Sequence, residues 1–134
     1  IPFKTALPQA PHAALMMGHL AVPGLGDGQT PASILPEAYG LARETLQYDG
    51  PIYTDDIGGM KAIADSLPLA DAVVTSLNAG ADMPLWSTEG DINAVIDAVV
   101  GAVNDGRLPL ERLADAARHV SAPPAGAAPK PAQD

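Results

Sequence analysis

Two adjacent carboxylates, Asp55 and Asp56, close a short apolar run from Ile52 to Thr54. The run is entered through an Asp49-Gly50-Pro51 turn and left through Gly58-Gly59, and a helical pattern starts near Lys61. Run, carboxylates, glycine-rich loop and helix together predict one βα unit of a parallel sheet. In such sheets chemistry sits where strands end at their C-terminal edge. Asp55 stands at that place. The alternative is that Asp55 or Asp56 only caps the following helix or ties down the loop. Both readings stay open on this stretch alone.

The composition narrows the classes of function. A chain of 134 residues suffices for one domain with a core. Aromatics make up 4% against a hydrophobic fraction of 47%, so Ala, Val, Leu and Ile must fill the interior. Seven basic residues against sixteen acidic ones leave a net charge of −9. That charge repels phosphate backbones and anionic lipid and argues against nucleic acid or a membrane surface as partner. The absence of cysteine rules out disulfides, thiolate chemistry and cysteine metal sites, and it fits any compartment. With no HxxxH motif and no carboxylate cluster in the sequence, no metal site is expected. No apolar run approaches the roughly 20 residues that span a bilayer, and no signal peptide is visible. The chain opens on Ile1 in what reads as mid-protein sequence, so residue 1 is not expected to be the biological N-terminus.

The carboxylates need elements to hold them. Ile1 to Pro11 reads as loop, with three prolines and little periodicity. Ala13 to Gly18 is a continuous apolar run ending at His19, which suits a strand buried on both faces. Leu20 to Pro36 is a long Gly-, Pro-, Ser- and Thr-rich loop, a kind of segment that is often functional. Pro36 opens a helix with Ala38, Leu41, Ala42, Thr45 and Leu46 on one face. Lys61 to Leu67 is a short helix broken by Pro68, and Leu69 to Asn78 resumes it up to an Asn78-Ala79-Gly80 cap. Asp82 to Trp86 reads as a third strand, awkward at Pro84. Ile92, Val95, Ile96, Val99, Val100 and Val103 trace a helix, and Leu110, Leu113, Ala114 and Ala117 a last one to about Val120. The order βα-βα-βα plus a terminal helix means α/β with parallel strands. Three such strands leave two open edges and a thin core, so the pattern reads as part of a larger fold.

Five segments occur in one order: Ile1-Pro2-Phe3-Lys4; Leu15 to Leu25, with His19 inside it; Thr30-Pro31-Ala32-Ser33; Tyr48-Asp49-Gly50 with Tyr53-Thr54-Asp55-Asp56; and Asn78 to Asp82. That series resembles the C-terminal part of the glycoside hydrolase family 3 catalytic barrel, most of all its β-N-acetylglucosaminidase (β-N-acetylhexosaminidase) branch. The resemblance covers Ile1 to about Val120. It implies residues 1–120 as the last three βα units of a (β/α)8 TIM-type barrel, incomplete in this chain, and 121–134 as a Pro/Ala-rich disordered tail.

The resemblance also implies roles. Asp55 is the catalytic nucleophile of a retaining glycosidase, which needs an ionised carboxylate about 5–5.5 Å from a general acid. Asp56 suits support, accepting backbone N–H groups of the Gly58-Gly59 turn. It stands where glucosidase members carry an aromatic, which favours the N-acetylhexosaminidase branch. His19 is a substrate-site residue that contacts sugar or orients a neighbour, against a structural histidine bonded to a loop carbonyl. Met60 matches a methionine of the family's loop and lines the sugar site or packs under the rim, and one extra residue in this loop shifts the register. Trp86 could stack on a sugar or serve the core or rim. His12 and His119 are expected to be solvated.

The departure from the family is large. Its general acid/base, a histidine paired with an aspartate, and its Lys-His grip on the sugar come from earlier strands, outside residues 1–134. The resemblance therefore implies an enzyme that removes terminal β-N-acetylglucosamine, from peptidoglycan fragments, without a cofactor. Its missing N-terminal barrel half would come from the same gene product or a partner fragment. The 134 residues alone are expected to be inactive. The alternatives are a truncated, non-catalytic segment that binds glycan or protein, and a family 3 β-glucosidase. Envelope substrate and tail composition point to an exported or cell-envelope-associated bacterial protein.

Overall fold

Three short strands, β1 (Leu15–Met17), β2 (Ile52–Asp56) and β3 (Met83–Leu85), form an all-parallel sheet in the order β1-β2-β3. The structure is a computed structural model and describes residues 2–10 and 13–121. Parallel neighbours need helical crossovers, and the chain supplies them. Between β1 and β2 runs α2 (Pro36–Gly40), with Pro36 in its first turn, continued by a wide π-type turn over Leu41–Thr45. Between β2 and β3 run α3 (Lys61–Ala64) and α4 (Leu69–Ala79). After β3 come α5 (Ile92–Asn104), whose Asp91 side chain accepts the Asn93 N–H as its N-cap, and α6 (Leu110–Ser121). The α/β class with parallel strands is what the apolar patterning predicts. No helix among the described residues is long and apolar enough to cross a membrane.

Several local expectations change. The first residues are not loop throughout: α1 (Pro2–Ala6) and a 3-10 turn over Leu7–Gln9 occupy them. The β2 strand runs on through Asp55 and Asp56 rather than stopping before them. The stripe expected on α2 is rotated, because the wide turn re-aims it. Ala38, Tyr39 and Ala42 are buried and Leu41 is exposed. Pro84 sits inside β3, which is tolerated because β3 is an edge strand. The expected Pro/Ala-rich tail lies outside the described residues from 122 onward, as does His12.

The sheet has one covered face and one bare face. Ile52 and Thr54 are fully buried, Ile52 against Tyr39, Ala42, Ala79 and Ala81. Ile57, Ile63, Val73, Leu77, Val95, Ala102 and Leu108 form the larger core under α4, α5 and α6. On the other face Met16 pairs with Tyr53, and Tyr53 with Met83, so the three point the same way. Met16 is 55% exposed, Met83 46% and Leu85 45%. A β1 strand buried on both faces is therefore not what the chain builds by itself: its helices cover only one side.

The end of α4 fixes how closely the helices approach. Gly80 has φ +129°, and its N–H bonds back to the Ser76 and Leu77 carbonyls while Ala81 N–H reaches Ser76. A Cβ there would lie 2.7 Å from Tyr39 Cβ. Gly80→Ala should therefore cost about 1–3 kcal/mol, from strain at positive φ plus the clash with Tyr39. Urea unfolding checks it; an unchanged midpoint would mean that Tyr39 moves freely aside.

Candidate active site

Asp55 is the penultimate residue of β2, at the C-terminal edge of the sheet. It stands two residues after Tyr53 and is half-buried. The pairing of β2 with β3 shifts register between Tyr53 and Asp56, so β2 carries one more residue than its partner there. A bulge of this kind re-aims a side chain and is common beside active sites. Thr54 closes the irregularity, its hydroxyl accepting the Leu85 N–H at 2.9 Å. Asp55 Oδ1 accepts the Asp56 N–H at 2.8 Å. Among the described residues, its Oδ2 accepts no hydrogen bond.

Asp56 differs in every respect. Its Oδ1 accepts the N–H groups of Gly58 (3.0 Å), Gly59 (2.9 Å) and Ser87 (3.3 Å), and its Oδ2 accepts the Ser87 hydroxyl. The Ser87 hydroxyl and then the Gly59 amide hold the Asp56 carboxyl below its ordinary range. A depressed folded pKa contributes stability above the ordinary carboxylate value, and acid removes it as pH falls through the folded value. The glycines are needed for the close approach. A Cβ on Gly59 would sit 2.7 Å from Asp56 Oδ2, and one on Gly58 would strike Thr88 Oγ1. The support role read for Asp56 from the Gly58-Gly59 turn is the one it has; Ser87 is a partner that no local spacing announces.

His19 follows β1 and is buried with both ring nitrogens in use. Nε2 donates to the Asp56 carbonyl at 3.0 Å, and Nδ1 lies 2.6 Å from Ser33 Oγ. A carbonyl can only accept, so Nε2 carries a hydrogen, and Nδ1 pairs with the Ser33 hydroxyl. His19 thus ties the end of β1 to the end of β2. Met60 is exposed just before α3, its N–H bonded to the Asp56 carbonyl at 3.3 Å. Trp86 is half-buried against the larger core.

His119 is not solvated. It is 6% exposed and sits at the opposite end of the sheet, around Asp82. Asp82 precedes β3, its carboxylate accepts the Ile52 N–H at the start of β2, and its side chain is 0% exposed. Arg43 meets it at 2.6 Å, Arg112 at 2.8 Å and His119 Nδ1 at 3.0 Å. The sequence misses this hub because its members are scattered from Arg43 to His119 and only the fold unites them. Ligand atoms of Asp82, Asp115 and His119 lie within 4.8 Å of one another, close enough for a metal. Both Asp82 oxygens, however, already face guanidinium groups, so arginine cations fill the places a metal would take. The hub binds α2, α4, β3 and α6 together at the strand starts, where barrel-type folds keep stability rather than chemistry.

Comparison with known proteins adds the following. Residues 1–122 match the family model of the glycosyl hydrolase family 3 N terminal domain. The chain is 42% identical over 118 residues to the beta-hexosaminidase LpqI of Mycobacterium tuberculosis, covering 84% of this chain and 30% of that protein. The solved structure of M. tuberculosis LpqI superposes with a TM-score of 0.83 at 38% identity, over 90% of this chain and 36% of its own. A family 3 beta-N-acetylglucosaminidase from a Paenibacillus species superposes with a TM-score of 0.80 at 30% identity, over 89% of this chain and 23% of its own. The chain thus spans less than two fifths of the length of each of these relatives.

Proposed function

The chain belongs to glycosyl hydrolase family 3, and from that premise we propose that it carries the nucleophile of a retaining β-N-acetylhexosaminidase. The enzyme removes terminal β-linked N-acetylglucosamine, with peptidoglycan fragments as the natural source. The observation that carries this reading is the division of labour between two neighbouring carboxylates. Asp56 is spent on the protein, whereas Asp55 holds one oxygen uncommitted at a strand's C-terminal end.

The reaction takes two steps. Asp55 Oδ2 attacks the anomeric carbon as the glycosidic C–O bond breaks, and the leaving oxygen takes a proton from the general acid. Water then attacks the same carbon, gives its proton to that group, now the base, and displaces Asp55 with retention. No cofactor enters either step. Among the described residues neither histidine suits the acid/base role. Both nitrogens of His19 are tied, and His119 lies at the far end of the strands. In this reading, as the family resemblance implies, the proton donor comes from outside this segment. His19 serves the site by orienting the β2 end, and exposed Met60 lines the sugar pocket.

In this reading the sheet forms the last three βα units of a (β/α)8 barrel, and its bare face with Met16, Met83 and Leu85 looks into the barrel. The remaining units, from the same gene product or a partner fragment, cover that face and bring the acid/base. Covalent trapping tests the reading. A slow-turnover fluorinated N-acetylglucosaminyl donor, added to the complete protein, should leave a sugar ester on Asp55 in the peptide spanning Gly50 to Lys61, seen by mass spectrometry. An ester on a different carboxylate overturns the assignment. Faster hydrolysis of an aryl glucoside than of an aryl N-acetylglucosaminide overturns the substrate class.

A further inference from the structure

The fixed point of this rim is Asp56. Every polar group it has is engaged within the chain. Its N–H donates to Asp55 Oδ1, its carbonyl accepts from His19 Nε2 and the Met60 N–H, and its carboxylate holds Gly58, Gly59 and Ser87. Three parts of the sheet edge converge on one residue: the end of β1 through His19, the loop from β2 to α3, and the loop after β3 through Ser87. Ser87 is exposed and stands two residues past β3, yet it turns both its N–H and its hydroxyl back to Asp56. A serine needed only to solvate a loop would have no cause to spend both donors on one carboxylate.

We propose that Asp56 and Ser87 form a latch that sets the aim of Asp55, making them positioning residues for the glycosyl-transfer step. The proposal rests on the reading of Asp55 as nucleophile. The mechanical link is short. Asp55 Oδ1 is held by the Asp56 N–H, so a rotation of that peptide swings the whole carboxylate. The latch limits such a rotation by fixing Asp56 itself: His19 pins the carbonyl of the following peptide, and Ser87, Gly58 and Gly59 pin the side chain. Attack on an anomeric carbon tolerates little error, and a misplacement of about 1 Å can cost about a hundredfold. An asparagine at position 56 would remove the negative charge that strengthens these hydrogen bonds and would force the Ser87 hydroxyl from donor to acceptor, and so would weaken the latch.

The test uses Ser87→Ala, Ser87→Thr, Asp56→Asn and the double variant Asp56→Asn/Ser87→Ala in the complete protein. Asp56→Asn should lower kcat about 10- to 100-fold with KM within about threefold, the signature of lost aim rather than lost binding. Ser87→Ala should lower kcat in the same sense by a smaller factor, and Ser87→Thr, which keeps the hydroxyl, should restore most of it. The double variant should be no worse than Asp56→Asn, because both substitutions break one device. Losses that multiply, or a kcat unchanged in Asp56→Asn, overturn the proposal. Amide hydrogen exchange at Gly58 and Gly59 reads the latch without any turnover and should accelerate in Asp56→Asn. Accelerated exchange with no sugar ester on Asp55 overturns the nucleophile reading; unchanged exchange overturns the latch.

Discussion

Asp55→Asn should reduce hydrolysis of an aryl N-acetylglucosaminide by about three to five orders of magnitude, the scale seen when a member of a nucleophilic machinery is removed. The substitution is isosteric. Its amide oxygen can still accept the Asp56 N–H that Oδ1 accepts now, so the local frame should survive. What disappears is the negative charge and the oxygen able to form an ester. Folding should be unaffected, because Asp55 Oδ2 accepts no hydrogen bond among the described residues and no ion pair there involves Asp55. Initial rates in the complete protein, beside its thermal midpoint and its affinity for N-acetylglucosamine, separate the hypotheses. A glycan-binding segment without catalysis would keep its affinity and have no turnover to lose. Turnover within about tenfold of the parent would remove Asp55 from the mechanism, since general acid–base effects alone are worth 10²–10⁴.

The second large effect lies at the other end of the sheet. Asp82→Ala should destabilise the fold by about 3–5 kcal/mol, the usual result of removing one partner from a buried ion pair. Its side chain has no exposed surface, and it stands between Arg43 and Arg112, which are 22% and 17% exposed. Removing it would leave two guanidinium groups and the His119 ring facing each other, and the Ile52 N–H at the start of β2 unpaired. The arginines cannot simply swing out into water. Arg43 also donates to the carbonyls of Tyr48 and Gly50, and Arg112 to those of Leu77 and Ala81. Urea unfolding should show the loss, and kcat per folded molecule should stay close to the parent's because Asp55 is at the opposite strand end. A loss below about 1 kcal/mol would mean that the hub is as weak as a surface salt bridge.

The two ends of the sheet were not equally legible. The carboxylate pair at the end of β2 was legible because everything that defines its place is local: an apolar run, a turn before it, a glycine pair after it; only the family resemblance singled out Asp55 from Asp56. The Gly58-Gly59 contact with Asp56 was legible for the same reason, being two and three residues away. His19 could be placed at the rim, but not its exact partners, since Ser33 and the Asp56 carbonyl lie on other elements. His119 was misjudged because a histidine near the end of a polar amphipathic helix has the pattern of a solvated one. Its burial depends on Asp49, Asp82 and Asp115, of which only Asp115 shares its helix. Pro2 to Gln9 was misjudged for the opposite reason, prolines near a chain start outweighing a single helical turn.

What the sequence determined by itself is whatever propagates through neighbours in the chain. Apolar runs of strand length and stripes of helical period imposed parallel βα units, and the Asp49 to Met60 stretch imposed a carboxylate at a strand end. Composition removed thiolate chemistry and made anionic partners unfavourable. The tertiary structure alone decided how completely Asp56 is spent. That outcome depends on Ser87 arriving from the β3 loop and His19 from the end of β1, contacts across 31 and 37 residues. It also depends on a register shift between β2 and β3 that no one-strand pattern contains. Hydrogen-bond satisfaction is a property of the assembled rim, so the full engagement of Asp56 exists only once three separate segments meet.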